Sequence, residues 1–283
     1  MTRAGLAAAV IICSSPAWAA DLPSPQPIYK APVMAPASTW EGFYVGGHVG
    51  YGWDPAHAIF NPSTYATTIL APLGGPWVDT GPDTGPINLT VNPKGWLGGV
   101  QFGYNWQRRS FVFGGEADFS WADIKDSTSA PFTVTGTEAG DLASFTGNVG
   151  LQQKLDYFGT IRGRLGWTPD NALLLFGTAG LAWGHVTTTF DTFGITAPAG
   201  DFTPQQLAAL QNGGYATASD LRWGYAVGGG LEWMFAHNWS VKGEYLYVNL
   251  GSGSDALVIP GGIAHSDLSV QVARIGVNYF IRP

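Results

Sequence analysis

Charge is scarce in this chain of 283 residues: Asp, Glu, Lys and Arg together make up only 12%, about half of the ~25% typical of soluble proteins. A globular surface with so few charges would be poorly solvated, so much of this surface is expected to face something other than water. Cysteine is scarcer still. The single thiol, Cys13, lies in an N-terminal stretch with the anatomy of a secretory leader. Arg3 supplies the positive start, Leu6 to Cys13 the apolar segment, and Ala17-Trp18-Ala19 the small-x-small cleavage site. Residues 1–19 are therefore read as a signal peptide. Without them no thiol remains, which excludes a disulfide scaffold and a thiolate metal site. A long apolar run is missing too. The best one, Ala172 to Gly184, is interrupted by Gly and Thr and falls well short of the ~20 residues a spanning helix needs. Basic residues are outnumbered, 13 against 20 acidic, which speaks against nucleic acid as a partner.

Glycine and aromatics are what the chain has in quantity, with 40 Gly and 13% Phe, Trp and Tyr. After a Pro-rich periplasmic linker over residues 20–39, the pattern becomes strict alternation. Trp96-Gly98-Val100-Phe102-Tyr104-Trp106 forms one face of a segment, with Gly99, Gln101, Gly103 and Asn105 on the other. Such a period of two predicts strands, over about 43–53, 96–107, 111–123, 155–168, 173–188, 222–235, 239–249 and 269–281. Short connections near residues 108–110, 169–171 and 236–238 alternate with long ones over 54–95, 124–154, 189–221 and 250–268. This is the layout of an outer-membrane barrel with short periplasmic turns and long external loops.

Aromatic spacing gives an independent ruler. Phe43 and Trp53, Trp96 and Trp106, Phe111 and Trp121, Tyr157 and Trp167, and Trp223 and Trp233 each stand ten residues apart. Ten residues at a rise of ~3.3 Å, tilted by about 40°, span ~25 Å, the height of the apolar band between two aromatic girdles. Trp183, Trp239 and Tyr279 complete the expected girdle set. Among the tryptophans after the leader, Trp77 alone lies away from a strand end. In the third long loop, Thr203-Pro204-Gln205-Gln206 carries the marks of a helix start. The repeated Asp79-Thr80-Gly81-Pro82 and Asp83-Thr84-Gly85-Pro86 read as two consecutive turns.

The segments WEGFYVGGHVGYGW, FVFGGEADFSWADI, YFGTIRGRLGW and ARIGVNYF resemble the small outer-membrane β-barrel proteins of alphaproteobacteria, porin-like surface antigens related to the OmpA transmembrane domain. The resemblance covers residues 40–283. It implies an all-β fold, an eight-stranded antiparallel up-and-down transmembrane barrel with four long external loops and three short turns. It also implies residence in the cell outer membrane and a part in envelope integrity and surface contact. The partners it implies are outer-membrane lipid, lipopolysaccharide, the barrel-assembly machinery and surface ligands met through the loops. Chains of this class usually finish on an aromatic, whereas here Ile281 stands in that place and Arg282-Pro283 follow.

With odd positions facing lipid (even ones in the second strand), the inward set contains Glu116, Asp118, Glu232 and Glu244 against Arg162, Arg164, Lys242 and Arg274. An eight-stranded barrel is only wide enough to be filled by side chains, and buried charges need partners. A salt-bridged lumen is the expectation, with a narrow porin or a haem-binding receptor as the alternative reading. Relatives that bind haem direct attention to His57, His185 and His265, which fall in or near the external loops; no cofactor and no metal is expected. His48 is read as an inward filler. Nor is an enzyme expected: His185-Val186-Thr187 comes nearest to the His-x-Ser of outer-membrane deacylases, with Thr in place of Ser.

Overall fold

The computed structural model describes residues 39–53, 56–73, 77–81, 83–138, 140–252, 257–259, 262–264 and 267–282. The expected leader and nearly all of the linker lie outside these residues. Eight long strands account for most of what remains: β1 (Gly42–Trp53), β2 (Lys94–Arg108), β3 (Phe111–Glu138), β4 (Asp141–Trp167), β5 (Leu173–Thr196), β6 (Tyr215–Ala236), β7 (Trp239–Ser252) and β8 (Asp267–Ile281). Each pairs antiparallel with its neighbours in the chain, and β8 returns to β1 to close the ring. Phe43 lies opposite Ile281 and Trp53 opposite Gln271 along that seam. The fold is an eight-stranded antiparallel up-and-down barrel. Closure leaves none of these strands with an unpaired edge inside the ring, which is what a sheet in lipid requires.

The three turns are tight. At the second, Asp170 Oδ1 accepts the amides of Ala172 and Leu173 at 3.1 and 2.9 Å, while Asn171 takes a left-handed φ of 59°, a conformation its short polar side chain tolerates. The long connections hold more order than the sequence suggests. The stretch 124–154, expected as a loop, is a continuation of the β3–β4 hairpin, paired as far as Glu138 and Asp141. Beyond Trp121 the hairpin carries ~55 Å of further chain per strand at about 3.3 Å per residue. Pro131 is accommodated there because β2 has already ended, so this part of β3 is an edge.

The first long connection contributes helix α1 (Pro62–Leu70), which the sequence reading missed. Asn61 caps it, with Pro62 in the first turn. The run Thr67-Thr68-Ile69 argues against a helix by propensity, but Thr67 and Thr68 return their hydroxyls to the carbonyls of Ser63 and Thr64 at 2.9 and 2.7 Å. Helix α2 (Pro204–Asn212) begins at the expected cap. The Thr203 hydroxyl accepts the Gln206 amide at 3.3 Å, and the Gln206 side chain accepts the Thr203 amide at 2.9 Å. A small four-stranded sheet, with Ala56–Phe60 at its middle beside Ile87–Val91 and Gly262–Ala264, belongs to the same end. The Asp-Thr-Gly-Pro repeat is not two equal turns. Val78–Asp79 pairs with β3, and Asp83 Oδ1 accepts the Thr135 amide at 2.8 Å.

Phe60, Tyr65, Leu70, Phe132, Val134, Phe145 and Phe190 form a buried apolar core between the strand extensions, the helices and the small sheet. Trp77, the tryptophan without a strand end, stacks on Phe202 with centroids 6.0 Å apart in the same core. No helix among the described residues is long and apolar enough to cross a membrane.

Candidate functional site

Alternation along the eight strands divides every spanning segment into an outward and an inward set. Outward stand Trp96, exposed over 71% of its surface, and Phe43, Trp106, Phe111, Trp121, Trp167, Trp223, Trp233, Trp239 and Tyr279, all exposed. Trp53, Tyr157 and Trp183 are half-buried by their neighbours. At the turn end Phe43 meets Tyr104 edge-on at 4.5 Å and Trp239 meets Tyr279 at 5.0 Å. At the loop end Tyr51 meets Trp96 at 5.4 Å and Trp183 meets Trp223 at 5.9 Å. Two aromatic belts separated by Val, Ile, Leu and Gly are the outward signature of a sheet in lipid.

Inward side chains fall into three groups along the barrel. At the turn end Trp40, Tyr44, Val112, Leu174, Phe176, Met234 and Phe280 pack together. At the loop end Leu97, Ile124, Leu155, Phe158, Leu246, Val248 and Val272 do the same. The ionised residues lie between them. Arg162 Nη2 is 2.6 Å from Glu116 Oε1 and 2.8 Å from Asp118 Oδ2, and its Nη1 is 2.7 Å from Glu244 Oε1. Arg274 reaches Glu244 at 2.7 Å and Asp118 at 3.1 Å. Lys242 Nζ lies 2.9 Å from both oxygens of Glu116 and 3.4 Å from Glu244. Three acids and three bases thus share one neutral cluster. Arg164 and Glu232 pair separately, and the Arg164 guanidinium lies 3.9 Å from the Phe176 ring, against the turn-end aromatics.

Neutral groups complete the shell, and the sequence reading did not single them out. Tyr44 donates to Glu116 at 2.8 Å, Thr160 donates to Asp118 at 2.6 Å, and Asn278 donates to Glu232 at 2.7 Å. Gln101 donates in turn to Asn278 at 2.5 Å. Their signal was available, since each sits at an inward position of the alternation. Two glycines of β1 make room for this layer. A Cβ on Gly46 would lie 2.1 Å from Asn278 Oδ1, and one on Gly50 would lie 2.7 Å from Arg274 Cβ. His48, between them, is buried with Nε2 2.8 Å from Ser120 Oγ.

Of the three histidines considered for haem, His185 is the one whose side chain lies among the described residues. The backbone of His57 pairs with Thr90 in the small sheet, and nothing is described of its side chain; His265 lies outside the described residues. His185 is on the outward face of β5, stacked on Tyr157 at 5.2 Å. Its Nδ1 is 3.3 Å from Asp156 and its Nε2 is 3.1 Å from Ser219 Oγ. The order Asp156–His185–Ser219 is that of a nucleophile relay. It lies on the outward face of three paired strands, beside a bulge between Leu155 and Tyr157. Among the described residues no group of three or more His, Cys, Asp or Glu could hold a metal ion.

The family described as outer membrane protein beta-barrel domain matches residues 5–280. The 31 kDa outer-membrane immunogenic protein of Brucella melitensis biotype 1 is 30% identical over 277 residues, 97% of each chain. The 22 kDa outer membrane protein of Rhizobium leguminosarum bv. viciae is 29% identical over 223 residues, covering 79% of this chain and 70% of that one. The crystal structure of the outer membrane protein OprG from Pseudomonas aeruginosa aligns with 87% of this chain and 98% of its own, at 12% identity and a TM-score of 0.40.

Proposed function

Because the chain belongs to the outer membrane protein β-barrel domain family, we propose that it acts in the outer membrane as a closed structural barrel that supports envelope integrity and presents its loop end for surface contact. The relatives are named as outer-membrane immunogenic proteins rather than as enzymes, and the reading needs no catalytic group. The observation that carries it is the inward packing. A neutral cluster of six ionised side chains lies between two apolar groups, and Arg162 within it is only 2% exposed. A hydrated path would leave such charges in water, whereas here each ion lies against at least one of opposite sign, as burial demands.

Presentation is supported by the second core. Loops held by α1, α2 and the strand extensions offer a partner a fixed surface, which costs less ordering entropy on contact than a floppy one. Tyr65 on α1 illustrates the fixing: its hydroxyl donates to the Leu210 carbonyl on α2 and meets Thr192 at 3.1 Å. Burial raises its phenol above the usual value, so it stays a neutral donor.

The test is conductance of the refolded full chain in a planar bilayer. The closed barrel gives no stepwise current across a range of voltages. A reproducible ohmic unit conductance would overturn it in favour of a narrow porin.

A further inference from the structure

The chain holds five lysines. Lys30 lies outside the described residues and Lys242 is buried in the lumen. The other three stand in one rung: Lys94 on β2 is directly opposite Lys125 on β3, which is directly opposite Lys154 on β4. All three point outward. Neighbouring strands lie ~4.8 Å apart, so the three stems start within about 10 Å of one another. The rung continues with hydroxyls. Lys154 is opposite Thr187 on β5, Thr187 is opposite Ser219 on β6, and those two hydroxyls are 3.1 Å apart.

The depth of this rung is set by its neighbours. Trp96 follows Lys94 by two residues, and the Trp121–Tyr157 pair lies just below the Lys125–Lys154 pair, so the row sits immediately outside the loop-end aromatic belt. In a membrane that is the level of the lipid headgroups. Like charges placed directly opposite one another destabilise a sheet. Asp123 offsets Lys125 at 3.0 Å and Asp156 offsets Lys154 at 2.5 Å, but no acid among the described residues pairs with Lys94. The next carboxylate on β3, Asp126, accepts the Asn92 amide at 2.8 Å instead. Other cations do not share this face: Arg222 is buried, while Arg108, Arg109 and Arg282 lie at the turn end. Every exposed cation of the described loop end is therefore in one row, in a chain with an acidic excess.

We propose that the Lys94–Lys125–Lys154 rung, extended by Thr187 and Ser219, binds the phosphate groups of a phosphorylated glycolipid headgroup in the outer leaflet. An ammonium is a compact point charge suited to phosphate, and basic clusters at the membrane surface attract anionic lipid. The inference names the site for the lipid partner that the barrel reading implies, and it rests on that reading only for the placement of the outward face in lipid.

Native mass spectrometry of the refolded full chain in a zwitterionic detergent tests it, with diphosphoryl lipid A and its dephosphorylated form as probes. Wild type binds the diphosphoryl form at least about tenfold more tightly. Lys94→Gln, Lys125→Gln and Lys154→Gln together abolish that preference. Arg108→Gln with Arg109→Gln leaves it intact. Asp123→Asn with Asp156→Asn frees two ammonium groups and tightens binding. Lys94→Gln alone, which breaks no ion pair, carries the test if the triple variant misfolds. A triple or Lys94 variant that keeps the wild-type preference overturns the site. Absence of any preference in wild type overturns headgroup recognition altogether, independently of whether the barrel conducts. Displacement by millimolar inorganic phosphate would assign the rung to free anion and overturn the lipid assignment.

Discussion

Two halves of the same hairpin use opposite arrangements. In the spanning part of β3, Phe111, Phe113 and Trp121 are exposed while Glu116 and Asp118 are buried. Farther along the same strand, Phe132 and Val134 are buried while Ser127 and Ser129 are exposed. Both halves stay paired antiparallel with β4, across a bulge between Trp121 and Ile124. What sets them apart is the medium that each outer face meets. The lower half is sorted for a medium that rewards apolar contact on the outside and requires every buried ion to be paired; the upper half is sorted for water. Hydrophobic order is therefore a statement about the surroundings of a residue, not about inside and outside as such.

The contrast can be broken most severely in the charged layer. Arg162→Leu leaves Glu116, Asp118 and Glu244 short of a shared partner, and a loss of ~3–5 kcal/mol is expected. It is measured as a fall in the urea midpoint of the barrel refolded in vesicles. Removing both members of the separate pair, with Arg164→Met and Glu232→Leu, costs much less than either single change, because no lone charge is left behind.

In the upper half the equivalent lesion is a cavity. Phe60→Ala removes a fully buried ring that touches Tyr65, Phe132 and Phe190, at ~3–5 kcal/mol. That loss is confined to the loop-end core. Protease sensitivity of the loops rises while heat-modifiable migration of the barrel persists; loss of both together would show that the halves are one cooperative unit.

A milder pair of changes sharpens the comparison on the outer surface. Ile161 is exposed midway between the belts of β4, so Ile161→Arg costs ~2–4 kcal/mol in a bilayer. Ser129→Arg, on the exposed face of the extension, stays within about 0.5 kcal/mol. Equal effects in vesicle unfolding would remove the distinction between lipid and water.

The smallest effect is at the second turn. Two backbone amides hold the Asp170 carboxyl below the usual carboxylate range. Its contribution is present above the unfolded pKa of ~3.9 and lost as pH falls through the lower folded value. Asp170→Ala should lower the midpoint slightly at neutral pH, and the difference from wild type should shrink as pH falls below the ordinary carboxylate range.

The spanning half was legible in the sequence because lipid imposes strict alternation and a fixed length. Phe111 and Trp121 mark both limits of β3 without ambiguity. The extension was not legible for local reasons. A bulge between Leu155 and Tyr157 shifts the inward set of β4 from even to odd positions, so a period-two reading stops there. Exposed Ser, Thr and Gly on the open face then resemble loop. Helix α1 was hidden by its Thr-Thr-Ile run, which tertiary contact overrides, whereas α2 carried a full capping box and was found. Of the lumen, the ionised residues could be named from their charge alone. The alternation also places Tyr44, Thr160 and Asn278 inward, but only their three-dimensional neighbours single them out from other inward polar side chains.

The seam between β1 and β8 carries charge as well as a ladder. Arg274 lies on β8, opposite Gly50 of β1, and joins a cluster whose other members are Glu116, Asp118, Glu244, Arg162 and Lys242. Without Arg274 that cluster would hold three carboxylates against two cations. Closing the sheet and neutralising its interior therefore favour the same finished state.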